Sequence, residues 1–115
     1  MAGRTSDEQV TPRCFNTKGL NVLTLNIRKA NLDEIISGDK KIERRDLKQT
    51  NLNKYTYIDE SDNKRYLRRY DALRLNVGND KNRESAIVEI IDTIYNEGVV
   101  EYHLGQILEH IEKQD

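Results

Sequence analysis

Apolar and polar residues alternate over Val22–Arg28, with Leu23, Leu25 and Ile27 on one side and Thr24, Asn26 and Arg28 on the other. A period of two predicts a strand with one buried face. From Asn31 the period changes, and Leu32, Ile35 and Ile36 recur at helical spacing. Asn31 is placed to cap the first turn, and Glu34, three residues on, completes a capping box. Asp33 and Glu34 suit the positive end of the helix dipole, and Gly38 can end the helix in the left-handed conformation. Lys40–Asp46 reads as a second strand. Residues 47–69 read as a long polar connection, and one this long in a small domain is functional or hides a short element. Asp71–Val77 is a strand with Leu73, Leu75 and Val77 on one face. Ala86–Tyr95 is a long strand whose alternation slips at Ile90-Ile91, which predicts a bulge. Asn96-Glu97-Gly98 turns the chain, Val99–Leu104 returns antiparallel, and Gln106–Glu112 reads as a closing helical turn with Ile107, Leu108 and Ile111 inward. The pattern predicts an α+β fold: a small mixed β-barrel of about five strands with one or two short helices.

The chain's 115 residues fit one domain. Residues 1–20 lack periodicity and read as a flexible tail, with Cys14 and Phe15 able to pin its end; residues 21–115 form the domain. No apolar run approaches the roughly 20 residues of a membrane span, and no apolar leader segment stands at the N-terminus. A single cysteine excludes an intrachain disulfide and fits a cytoplasmic setting. Cys14, His103 and His110 lack ligand spacing, so no metal is expected, and no cofactor-binding loop of the Walker or dinucleotide kind is present.

Net charge is −1, but it is unevenly distributed. Residues 40–74 hold eleven Lys/Arg against six Asp/Glu, net +5, while residues 84–115 hold one Lys against eight Asp/Glu, net −7. A basic middle beside an acidic end can attract an anion to one face of a nearly neutral molecule. The alternative is a solvated surface whose charges happen to cluster.

The densest chemistry is Gly38-Asp39-Lys40-Lys41-Ile42-Glu43-Arg44-Arg45. Lys40 is a point charge suited to phosphate, and Arg45 a planar fork suited to phosphate or a base edge. Glu43 can accept from an exocyclic amine, orient the cations, or move a proton. Glu43 and Arg45 share a strand face; Lys40 has the opposite parity and must be turned inward by the corner after Gly38. The structural alternative is a charged strand edge with an intrastrand ion pair.

The spacing Gly-x-Lys-x-x-Glu-x-Arg resembles the signature of the ASCH family, a branch of the PUA-like fold. The likeness runs from Leu23 to about Glu109. It takes in Tyr70-Asp71-Ala72-Leu73-Arg74-Leu75, Val77-Gly78-Asn79 and the hairpin Ala86–Leu104 with Gly105. The resemblance implies a PUA-like barrel with a cleft beside the first helix, lined by Lys40, Glu43 and Arg45, that binds RNA or a nucleotide. It also implies an alternative: a hydrolase acting on a modified nucleoside or an RNA phosphodiester, with Lys40 and Glu43 as the catalytic proton-transfer pair. The amidohydrolase branch carries Thr where Glu43 stands here, so that branch's catalytic set does not transfer in full.

Two further constellations complete the reading. Lys64-Arg65-Tyr66-Leu67-Arg68-Arg69-Tyr70 interleaves cations with tyrosines, which suits an RNA backbone held by Lys64, Arg65, Arg68 and Arg69 with bases stacked alongside; the alternative is a solvated connection anchored by Leu67 and Tyr70. Asn76 to Arg83 offers a polar rim opposite the first motif, or else a plain turn. The expected ligand contacts are therefore Lys40, Glu43, Arg45, Tyr70, Asn76 and Arg83. A third class of function, a protein-interaction module, would use the acidic C-terminal half.

Overall fold

The computed structural model describes residues 17–114. The element order is β1 (Val22–Asn26), α1 (Lys29–Ser37), β2 (Ile42–Asp46), α2 (Leu52–Tyr55), β3 (Thr56–Asp59), β4 (Lys64–Leu67), β5 (Ala72–Asn76), β6 (Ser85–Asn96) and β7 (Val99–Ile111). Five strands form one curled sheet in the order β1-β5-β6-β7-β2, a half-barrel, and β3 and β4 form a separate hairpin. β1 runs parallel to β5 and the other pairs are antiparallel, so the sheet is mixed, as the sequence pattern predicts. Among the described residues no helix is long and apolar enough to cross a membrane. Most of the expected tail, including Cys14 and Phe15, lies outside the described residues.

The alternating apolar positions meet on the concave face. Leu23 and Leu25 of β1, Leu73 and Leu75 of β5, Ala86 and Val88 of β6, and Val100, Tyr102 and Leu104 of β7 pack together with Leu32 and Ile35 of α1 and Tyr55 of α2. Burying such side chains is the main favourable term in a domain of this size. β1 and β2 are the two edges of the sheet, and α1 connects them along the chain.

Four expectations need correction. First, Gln106–Glu112 is not a helical turn. β7 continues to Ile111, because the long β6 needs a backbone partner along its buried start: Ser85 faces Ile111, Ala86 faces His110 and Ile87 faces Glu109. The slip expected at Ile90-Ile91 is present as register shifts between Ile87 and Asp92. Second, Asn31 does not cap α1. The helix begins at Lys29, two residues earlier, with Arg28 at the cap position and no side-chain cap. Lys29 is held there by ion pairs to Glu84 and Asp33 at 2.9 and 3.0 Å. Third, of the two alternatives for residues 47–69 the hidden element is present, and it is larger than one short element: α2 and the β3–β4 hairpin. Fourth, the strand count exceeds five because of that hairpin.

Candidate functional site in the gap of the half-barrel

The site is assembled by the corner between α1 and β2. Gly38 takes φ +89°, its N–H bonds the Ile35 carbonyl at 3.1 Å, and the Lys40 N–H reaches back to the Glu34 carbonyl at 3.0 Å. This left-handed stop folds the chain back over the helix end. It swings Lys40 toward the strand face that its parity alone would deny it.

On β2 the side chains alternate. Glu43 stands directly across from Tyr102 and Arg45 across from Val100, so both point into the concave face. Glu43 is only 4% exposed. Arg45 donates from Nε to Glu43 Oε2 at 2.8 Å, and its Nη2 lies 2.7 Å from the same oxygen. Lys40 Nζ lies 2.9 Å from Oε1. That contact is ionic without hydrogen-bond alignment, so Oε1 keeps an unfilled acceptor position. Arg45 Nη2 also donates to the Asn26 carbonyl at 2.9 Å. Asn26 ends β1, so one guanidinium spans the gap between the two sheet edges.

Tyrosines lie beneath this charge cluster. Tyr102 is fully buried and its hydroxyl has no hydrogen-bond partner. Burial pushes its phenol well above the ordinary range; the nearby Tyr55 and Tyr70 add to the shift and Arg45 opposes it. Burial likewise raises the Tyr55 phenol, with Arg45 pulling the other way. The Tyr55 and Tyr102 ring centroids are 6.4 Å apart at 38°. The Tyr70 hydroxyl donates to the Lys54 carbonyl at 2.7 Å. The upward shifts keep the Tyr55 and Tyr102 phenols in the neutral, hydroxyl form.

The outer face of β2 has its own network. Arg44 Nε donates to Glu101 Oε2 at 2.9 Å, and His103 Nε2 lies 3.4 Å from the other oxygen. Arg44 is the main cause that holds the Glu101 carboxyl below its usual value. A shallow depression at the helix corner is bordered by Glu34, Asp39, Lys40, Lys41 and Arg44. Lys40 therefore stands where this depression meets the charge cluster.

The other sequence-predicted residues are dispersed. Asn76 ends β5 as the register neighbour of Asn26, and its carbonyl accepts from the Ile27 N–H at 2.9 Å. Its backbone thus lies one strand away from the group that anchors Arg45. Arg83 lies apart from the cluster, in a cavity of about 620 Å³ shared with Lys29, Glu84 and His110. In that cavity Glu84, 6% exposed, holds Lys29 at 2.9 Å and His110 Nε2 at 2.7 Å. Arg65 donates to Thr56 Oγ1 at 2.9 Å and Arg68 to the Asn53 carbonyl at 2.8 Å. Lys64 is exposed on β4 across from Asp59, and Arg69 borders the hairpin groove. Sequence reasoning missed Tyr102, Tyr55 and Glu84. Tyr102 could have been found from its parity with Val100 and Leu104, but its placement opposite Glu43 needs the strand register.

Among the described residues no group of His, Cys, Asp and Glu is placed to hold a metal ion. No protein-family model, no curated protein and no solved structure matches the chain.

Proposed function

We propose that this chain is an RNA- or nucleotide-binding domain of the ASCH-like, PUA-like kind, with its ligand in the gap beside Lys40, Glu43 and Arg45. The observation that carries this reading is a buried carboxylate between two cations, with an unfilled acceptor position on Oε1 and an unpartnered Tyr102 hydroxyl across the strand pair. An unpartnered buried hydroxyl such as that of Tyr102 is costly in a resting protein, and a ligand that supplies its partner recovers that cost. An exocyclic amine of a base can donate to Glu43, and the tyrosyl hydroxyl can serve a base carbonyl or ring nitrogen. The N–H groups of Lys40 and Arg45 not used by Glu43 suit phosphate. In this arrangement Glu43 orients the cations and reads the amine.

The test is calorimetric titration with the common ribonucleoside monophosphates. Arg45→Ala should weaken binding by roughly tenfold to a hundredfold, the loss of a charge-assisted contact. Lys54→Ala, an exposed lysine on α2, should change it little. Equal small effects at both positions, with both variants still folded at the assay temperature, would reduce the cluster to a structural role.

Hydrolysis is the second reading, favoured by Lys40 Nζ lying within proton-transfer distance of Glu43 Oε1. Product analysis on acylated cytidines and RNA decides it. Turnover lost in both Lys40→Ala and Glu43→Gln, with the fold intact, supports catalysis.

A further inference from the structure

The β3–β4 hairpin forms a groove that the gap site does not use. A cavity of about 900 Å³ lies between the hairpin, the segment after β2, and the β6–β7 turn. Three of its tyrosines are solvent-exposed: Tyr57 (40%), Tyr66 (41%) and Tyr95 (55%). Tyr57 and Tyr66 are direct cross-strand partners with ring centroids 5.9 Å apart at 33°, which makes a ready aromatic platform. Exposed tyrosines concentrated at one groove lack the usual reason for large aromatics, which is burial.

The charge around the groove is one-sided. Its lining includes Arg65 and Arg69 and no carboxylate. Thr56 Oγ1 fixes Arg65 by the bond already described, while the Arg69 side chain makes no hydrogen bond or ion pair among the described residues. Asp62 accepts the Tyr66 hydroxyl, which anchors the ring at its edge, and Tyr57 packs beside it. Aromatic side chains together with Arg69, whose side chain has no acid partner among the described residues, match stacked bases on a phosphate backbone. A protein segment docking there would need carboxylates to meet Arg65 and Arg69.

The groove lies close to the gap residues along the chain. Arg45 is two residues before Leu47, which borders the groove and whose N–H bonds the Gly98 carbonyl at 2.8 Å on the groove's other side. On α2, Tyr55 faces the buried tyrosine cluster and the next residue, Thr56, faces the groove.

We infer that the hairpin groove is a stacking subsite for single-stranded RNA, which makes the ligand of the gap site a nucleotide within a polymer. This rests on the nucleotide reading of the gap. Stacking holds the neighbouring bases on Tyr66 and Tyr95, and Arg69 neutralises a phosphate between them.

The experiment is fluorescence anisotropy with a labelled mixed-sequence RNA of about 8 nucleotides, within the site size of small single-strand binders, beside the ribonucleoside monophosphates. The oligomer should bind more tightly than any monophosphate. Tyr66→Ala and Tyr95→Ala should each weaken the oligomer by about tenfold, with Tyr66→Phe restoring it and the monophosphates unaffected. Arg69→Ala should reduce the slope of log affinity against log salt by about 0.7, one phosphate's share for a single strand, whereas the tyrosine changes leave the slope as it was. Because all three side chains are exposed or bordering solvent, thermal melts should match the wild type. An oligomer that binds no better than a monophosphate, or that ignores these substitutions, overturns the groove and leaves the gap reading standing. Oligomer binding that depends on Tyr66 and Arg69 yet ignores Arg45→Ala keeps the groove and removes the gap as the nucleotide site.

Discussion

Replacing Arg45 with Met isolates the electrostatics of the gap, because Met keeps much of the apolar stem and loses the charge. The change removes the two contacts to Glu43 Oε2 at 2.8 and 2.7 Å and the bond to the Asn26 carbonyl at 2.9 Å. Opposite charges about 4 Å apart attract by about 4 kcal/mol at an effective dielectric near 20. The Arg45 side chain is 25% exposed, so solvent screening lowers this, and Lys40 still faces the carboxylate. The loss should be about 3 kcal/mol, at the lower end for breaking a buried pair. That is a large share of the roughly 5–15 kcal/mol a domain has to lose. The double change Glu43→Leu with Arg45→Met should behave differently. It takes both charges out of the interior, and apolar replacement of buried pairs is often neutral or stabilising by about 1–4 kcal/mol. Lys40, 27% exposed on a flexible stem, can turn to water. Urea unfolding followed by circular dichroism measures all variants, with an unchanged m-value confirming the same compactness. Arg44→Met on the outer face, whose arginine is 58% exposed, is the control and should lose little. The reasoning is refuted if Arg45→Met loses no more than Arg44→Met, or if the double variant is as unstable as the single one. A double variant that is stable and no longer binds nucleotide would show that the ion cluster is kept for the ligand at the expense of the fold.

Two further outcomes follow from local chemistry. Glu84 is held below its ordinary value of 4.5, first by Lys29 and then by His110. Its stabilisation is therefore fully present above that value and lost as pH falls through the lower folded-state value, so Glu84→Gln should flatten the acid side of a melting-temperature profile and leave its shape near neutrality; an unchanged acid limb would sink the linkage. Gly38→Ala meets open space but keeps a left-handed φ of +89°, so it should cost about 1 kcal/mol in chemical unfolding, and a neutral result would mean the corner relaxes freely.

Much of the site could be read from local pattern, and the remainder depended on distant partners. Strand parity put Glu43 and Arg45 on one face, and the glycine stop marked where Lys40 could be turned toward them. The bulge at Ile90-Ile91 was visible as a break in alternation. The end of β7 was not, because Ile107, Leu108 and Ile111 fit a helical face as well as a bulged strand. The deciding factor was the buried start of β6, whose backbone groups needed partners. The start of α1 was misplaced for a similar reason. Asn31 and Glu34 form a good local cap signal, but Lys29 pairs with Glu84, far along the chain, and the helix begins there. The hairpin was hidden because its strands are short and mostly polar, and such strands carry little periodicity. Tyr102 opposite Glu43 follows only from the β2–β7 register.

The position of the site follows from an unclosed sheet. Edge strands expose unpaired N–H and C=O groups, and proteins cover, shorten or close such edges. Here the curl brings the edges β1 and β2 to opposite sides of one gap. Closure by backbone pairing would leave no room for a ligand. Instead a side chain, Arg45, crosses from β2 to the β1 carbonyl of Asn26. A side-chain bridge can exchange partners where a ladder of backbone bonds cannot. Arg45 can give one N–H to an incoming phosphate while Glu43 keeps its Nε in place. On the proposed reading the buried carboxylate would act as a fixed post for that fork, which fits Glu43 lying deeper than the two cations it holds.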